Sequence, residues 1–170
     1  MLTIRYSKLI LLAAVSFYAT LVAFGNITDY QTNFDFVQHV LMMDTIFPDA
    51  TIKYRAINNP MLHHLFYLII IITECVIAAA GWYGSWMMLC ARKQSAKTFN
   101  HAKRWGVIAL TLAFILWQVG FMSVGGEWFG MWMSKTWNGL NASFRIFTMV
   151  ILILIYLIIP DRDEKKPESA

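Results

Sequence analysis

The stretch HHLFYLIIIITECVIAAAGWYGS, residues 63–85, decides how the chain folds. It lies in an almost wholly apolar run from Met61 to about Leu89. Such a run is long enough to cross a bilayer, which takes about 20 apolar residues. One carboxylate, Glu74, interrupts it. Steps of four and three from His63 pass through Tyr67, Ile71, Glu74, Ala78, Gly81 and Ser85, so these residues share one seam of a helix. The other faces carry mostly Leu, Ile, Phe, Val and Met. Helices in lipid associate through small residues and interhelical hydrogen bonds, because lipid is as apolar as leucine. The seam is therefore expected to face other helices.

Three further apolar runs flank this one: Leu9 to Gly25, Trp105 to Val124, and Phe144 to Ile159, which Pro160 closes. Composition agrees, with 58% hydrophobic and only 14% charged residues; a soluble domain carries about a quarter charged. The expected fold is an all-α membrane protein, a four-transmembrane-helix bundle in one domain over 1–160. Its helices span about 9–25, 61–89, 105–124 and 144–159, its outer loops 26–60 and 125–143. The charged 161–170 segment reads as a disordered cytoplasmic tail. Because Arg5 and Lys8 precede the first run and AFG ends it, a cleaved secretory signal is the rival reading. The length of the run favours a retained span.

Basic residues set the orientation. Arg5, Lys8, Arg92, Lys93, Lys97, Lys103, Arg104, Arg162, Lys165 and Lys166 fall on one side; Lys53, Arg55, Lys135 and Arg145 fall on the other. The excess places both termini and the 91–104 loop in the cytoplasm. The net charge of +4 is accounted for in this way, so no nucleic-acid partner is expected. The basic loop is also placed to meet anionic lipid head groups. Cys75 and Cys90 lie about 22 Å apart along one helix and cannot bridge each other.

Matching seams are Ala13, Ser16, Thr20 and Ala23 on the first helix, and Gly106, Ala109, Ala113 and Gly120 on the third, with Gln118 on a neighbouring face. The fourth helix is bulky throughout and is expected to face lipid. Glu74 reads as an intramembrane polar site near the bilayer midplane, expected to be protonated, hydrogen-bonded to Ser16, Thr20 or Gln118, or near water. Two roles compete for it: a proton, ion or quinone contact, or a neutral acid tying helices together.

In the first outer loop, NFDFVQHVLMMDTIFPD has the apolar face of a short amphipathic helix lying on the membrane surface, capped by Asn33 and ended before Pro48. His39, Asp44, His63, His64, Glu127 and Arg145 form an expected outer-face polar cluster. Arg145 at a helix start calls for a partner, with Glu127 the first choice ahead of Asp44, or else snorkels into the head groups. Trp128, Trp132 and Trp137 read as interfacial aromatics. His39, His63 and His64 are the only residues that would ligate a metal or haem, but no HExxH or CxxCH motif supports this. Ser123, Ser134 and Ser143 have histidines on their side, but no GxSxG is present to make a hydrolase.

The segments NFDFVQHVLMMDTIFP, MLHHLFYLIIIITE, GGEWFGMWMSKTWNG and the Phe144–Arg145 pair resemble a bacterial family of predicted small integral membrane proteins, a domain of unknown function. The resemblance covers nearly the whole chain and is most specific in the outer loops. It implies four spans and a Gram-negative inner membrane. It implies no activity and carries over no catalytic residue.

Three functions compete. The first is a non-catalytic assembly or accessory subunit acting through its outer loops, as a homo-oligomer or within a larger membrane complex, with no cofactor expected. The second is a redox subunit holding haem, a metal ion or quinone at His39, His63, His64 and Glu74. The third is a small transporter or proton path through Glu74.

Overall fold

In the computed structural model, residues 2–163 are described. Among them every regular element is helical: α1 (Leu2–Thr28), α2 (Tyr30–Met42), a 3-10 turn (Thr51–Arg55), α3 (Pro60–Ala91), α4 (Ala96–Ala102), α5 (Arg104–Phe114), which continues as a π-helical segment (Ile115–Trp128), a 3-10 turn (Met131–Met133) and α6 (Leu140–Ile158). Four helices are long and apolar enough to cross a membrane: α1, α3, Ala96–Trp128 and α6.

The α3 helix is the organising element, in contact with both α1 and α5, while α6 closes the ring against α5, the π-helical segment and α1. It starts where Asn59 accepts a hydrogen bond from Met61 N, with Pro60 in the first turn, where a missing N–H costs nothing. All seven residues of the expected seam are buried. Two α3 glycines, Gly81 on the seam and Gly84 beside it, set the helix spacing. A Cβ on Gly84 would lie 2.6 Å from the backbone N of Gly106 on α5, and a Cβ on Gly81 would collide with Ser16 Oγ on α1. Close backbone approach of this kind is what small residues permit in lipid.

On α1 the buried stripe is Leu12, Val15, Ser16, Ala19, Ala23 and Asn26, continued inward by Lys8 and Arg5. Thr20 is exposed and Ala13 only half-buried, so the expected α1 seam is rotated by about one residue. On the third span Gly106, Ala109 and Ala113 are buried as expected, but Gly120 is exposed. Only Ser143, Val150 and Leu157 of α6 are buried, an every-seventh-residue stripe flanked by the half-buried Ile146, Phe147, Ile153 and Leu154.

The first outer loop differs from expectation. The first helix runs on to Thr28, and α2 begins at Tyr30 after a bend at Asp29, rather than at an Asn33 cap. Met43 ends α2 in the left-handed region, with φ 52°. Its apolar face, Phe34, Val37 and Leu41, packs with Tyr67, Ile71 and Phe129. That face is satisfied by protein. Residues 161–163, expected to be disordered, instead pack on the bundle, with Asp161 buried. The remainder of the expected tail, 164–170, lies outside the described residues.

Candidate functional site

Glu74 is buried, and Asn26 Nδ2 donates to its Oε2 at 2.7 Å. Asn26 carbonyl in turn accepts from the Tyr67 hydroxyl at 3.2 Å. This small network joins α1 to α3. None of the three expected partners bonds Glu74: Ser16 Oγ donates to its own helix at Leu12 O, Thr20 Oγ1 to Ser16 O and accepts from Trp82 Nε1, and Gln118 Oε1 is buried without a partner. Asn26 was missed because the apolar run ends at Gly25, and the helix was expected to end with it. The signal was present in the spacing of Ser16, Ala19, Ala23 and Asn26 at threes and fours. Asn26 is two residues from the end of α1, so Glu74, near the middle of α3, sits level with the last turn of α1. Inward of Glu74 the seam narrows to Ala78, Gly81 and Ser85, with Ser16 filling the space against Gly81.

The six residues expected to form one outer cluster separate into five arrangements. His39 Nδ1 donates to Asp44 Oδ2 at 2.6 Å, and its ring stacks on Trp137 at 4.7 Å. His63 is buried and its Nε2 donates to the Ile57 carbonyl at 2.7 Å, leaving Nδ1 without a partner. His64 shares a hydrogen bond with the Tyr30 hydroxyl at 2.9 Å and stacks on Phe34 at 4.1 Å. Glu127 and Arg145 are exposed and make no ion pair with each other or with Asp44 among the described residues. The histidines act as staples of the outer cap: each ties an aromatic or backbone group of α2 or its following loop to a neighbour. Among the described residues no three His, Cys, Asp or Glu side chains come together as a metal-holding group. Ser134 is a turn-former, its Oγ accepting from Thr136 N and Trp137 N. Trp128 and Trp132 are exposed, with the Arg55 guanidinium 4.5 Å over the Trp128 ring.

Arg145 lies elsewhere than expected. It lines a groove of about 750 Å³ between α1 and α6, with Leu11, Ala14, Val15, Tyr18, Phe144 and other apolar side chains. It is only five residues into α6, about 7.5 Å from its start, yet it faces Tyr18 in the middle of α1.

The opposite end of the bundle holds a cluster that sequence reading did not find. The Lys8 and Lys103 ammonium groups both donate to Asp161 Oδ2, at 2.8 and 2.5 Å, and both donate to the Ile159 carbonyl. Asn100 Oδ1 accepts from Lys103 and from Asp161 N. All three charged side chains are at least 93% buried. Burial alone would push the Asp161 carboxyl up, but the hydrogen bonds and charges of Lys103 and Lys8 outweigh it and hold it below its usual range. The cluster ties the end of α6 to α1 and to the α4–α5 junction.

A family model described as "Predicted small integral membrane protein (DUF2165)" matches residues 4–160. No curated protein and no solved structure matches the chain. The match takes in all four candidate spans, the outer cap and the Glu74–Asn26 pair, so the chain belongs to the DUF2165 family of predicted small integral membrane proteins.

Proposed function

We propose that this protein is a non-catalytic accessory or assembly subunit of the bacterial inner membrane, with both termini cytoplasmic. The observation that carries this reading is Arg145. An arginine within a membrane span is costly and normally faces a partner. Here it is exposed in an apolar groove, and no acid of the described chain pairs with it. The carboxylate within the spans, Glu74, is buried and engaged by Asn26, while Glu127 sits at the outer end of its helix. A second copy therefore brings no buried-depth acid to the groove. The occupant that fits is a transmembrane helix of another protein, with small and apolar residues against α1 and α6 and one Asp or Glu at the level of Arg145. The outer cap supports the same reading: Phe47, Tyr54, Arg55, Trp128 and Trp132 make a held, outward aromatic surface of the residue types that dominate binding hot spots. The basic residues favour the stated orientation.

The test is native mass spectrometry of the chain taken from its own membrane in mild detergent, beside the Arg145→Leu variant. The expected spectrum shows 19.6 kDa plus the mass of a second protein, and loss of that mass in the variant with folding unchanged. Multiples of 19.6 kDa alone would assign the groove to a second copy instead. A lone chain, or one carrying haem, metal or quinone, would overturn the assembly reading.

A further inference from the structure

The face that carries the chain termini holds a second recess, of about 410 Å³, between the start of α1, the α3–α4 link and the residues after α6. Arg5, Arg92, Lys93 and Arg162 line it, and Asp163 is the one carboxylate among its described lining residues. Gathering cations is common at such a face; what separates this recess is how Arg5 is held. Its side chain is 5% exposed. Arg5 Nη1 donates to the carbonyls of Arg92 and Gln94 at 3.0 and 2.6 Å, and its guanidinium lies 4.8 Å over the Phe99 ring. These contacts fix the plane of the guanidinium. Its Nε is buried and has no partner among the described residues, and the one acid they bring to its Nη2, Asp163 Oδ1, is at a long 3.8 Å and also accepts from Ala96 N. Arg5 thus holds a fixed, oriented positive charge at the wall of the recess, answered among the described residues only by Asp163.

We infer that this recess binds a phosphate group, as carried by the head group of an anionic phospholipid. Planar guanidinium groups match phosphate oxygens two at a time. Arg92 is similarly oriented: its Nε donates to the Tyr6 hydroxyl and Nη1 to the Leu89 carbonyl. The recess volume lies within the range of small-ligand sites, about 300–1,000 Å³. Leu2 lines its edge, and Leu2 and Ile4 are exposed along α1, so an acyl chain can leave the recess along the lipid-facing side of that helix. Basic pockets between spans at the cytoplasmic side are suited to such head groups. Free phosphate shares the chemistry but has no use for the apolar edge.

The full chain in mild detergent is titrated with phosphatidylglycerol, phosphatidylcholine and inorganic phosphate, with retained mass read by native mass spectrometry. One phosphatidylglycerol should be retained in preference to phosphatidylcholine. In the Lys93→Gln/Arg162→Gln variant, which removes two outward charges and no buried contact, retention should weaken by about thirty-fold. Removal of Arg5 risks the fold, so the double variant is the deciding one. Binding of inorganic phosphate that displaces the lipid would identify phosphate itself as the element read. Equal retention of the two lipids with no phosphate binding, or a double variant that binds like the unaltered chain, would overturn the inference.

Discussion

Gly84→Ala adds one methyl group where α3 and α5 touch, and it should loosen the whole bundle. The new Cβ would stand 2.6 Å from Gly106 N and 3.1 Å from Gly106 Cα. Both are backbone atoms, so no rotamer change relieves the clash. Ordinary contact begins near 3.4 Å, so the helices must part by about 0.8 Å. A gap of about 0.5–1 Å forfeits a quarter to a half of each dispersion contact it opens. Gly106 cannot retreat, because a Cβ at its own position would meet Leu12 at 2.6 Å and Leu157 at 3.1 Å, so three neighbouring helices crowd this point. Overpacking of this kind costs about 1–3 kcal/mol. Replacing glycine by alanine within a helix returns about 0.5–1 kcal/mol. The net loss is up to about 2.5 kcal/mol. Gly25→Ala is the matched control: no heavy atom lies within 4 Å of its Cβ, so only the helical gain remains and the sign reverses. Unfolding in mixed micelles of rising dodecyl sulfate fraction, followed by circular dichroism, reads both. Gly84→Ala as stable as Gly25→Ala would refute the close approach of α3 and α5.

Other substitutions probe the polar groups by the same assay. Glu74→Gln keeps an oxygen for Asn26 Nδ2 and removes a carboxylate, so stability should hold or rise, whereas Glu74→Leu strands Asn26 and should cost about 1–3 kcal/mol; equal behaviour of the two would remove Asn26 as the partner. Asp161→Asn leaves two buried ammonium groups without their shared counter-charge, and a loss of about 3–5 kcal/mol is expected. The Asp161 carboxyl is held below its usual range when folded, so its contribution is complete above about pH 4 and is lost as pH falls through the lower, folded value. A stability profile of Asp161→Asn should therefore lack part of the acid limb seen for the unaltered chain; an unchanged limb would contradict the cluster. Trp137→Ala removes the ring stacked on His39 and should loosen the cap without moving the spans, seen as faster proteolysis confined to residues 43–59 and 129–139.

The α3 seam was legible because it obeys one period from His63 to Ser85, and the same small residues that mark it let α1 and α5 approach. The α1 stripe was less legible. Thr20 looked like part of a polar seam, but its hydroxyl is satisfied by Ser16 O on its own helix, so it needs no burial between helices. Asn26 lies past the apolar run and was legible only as a continuation of the spacing of Ser16, Ala19 and Ala23; α1 runs on to Thr28, and Asn26 meets Glu74 and Tyr67 there. The Lys8–Lys103–Asp161 cluster joins residues 153 and 58 positions apart, and nothing in a charged, proline-flanked ending distinguishes one buried aspartate from its exposed neighbours. The expected cluster separates for a simple reason: its members come from α2, α3, the end of the third span and α6, but face different neighbours. His39 and Asp44 are five residues apart and close locally, which a sequence can show; Arg145 turns toward α1, which it cannot.

Glu74 and Arg145 are unlike in what surrounds them, and that contrast orders the molecule. The carboxylate is enclosed between α1 and α3, and its partner comes from the same chain. Its placement completes the fold on that side, where small residues bring the backbones together. The guanidinium stands on the opposite side, where α6 buries only Ser143, Val150 and Leu157 and contacts α1 sparsely enough to leave a groove. An internal partner for Arg145 would have cost the chain one acid on α1, which has none. A fold that satisfies the buried acid between α1 and α3 and leaves the Arg145 cation open is complete on its α3 side and unfinished between α1 and α6. Suppression should follow the same logic: if a carboxylate on a partner helix completes the groove, Arg145→Glu should release that partner, and the partner's acid exchanged for arginine should restore it. Restoration by an arginine in that register would come from the charge pair alone, since the apolar walls of the groove are the same in both cases.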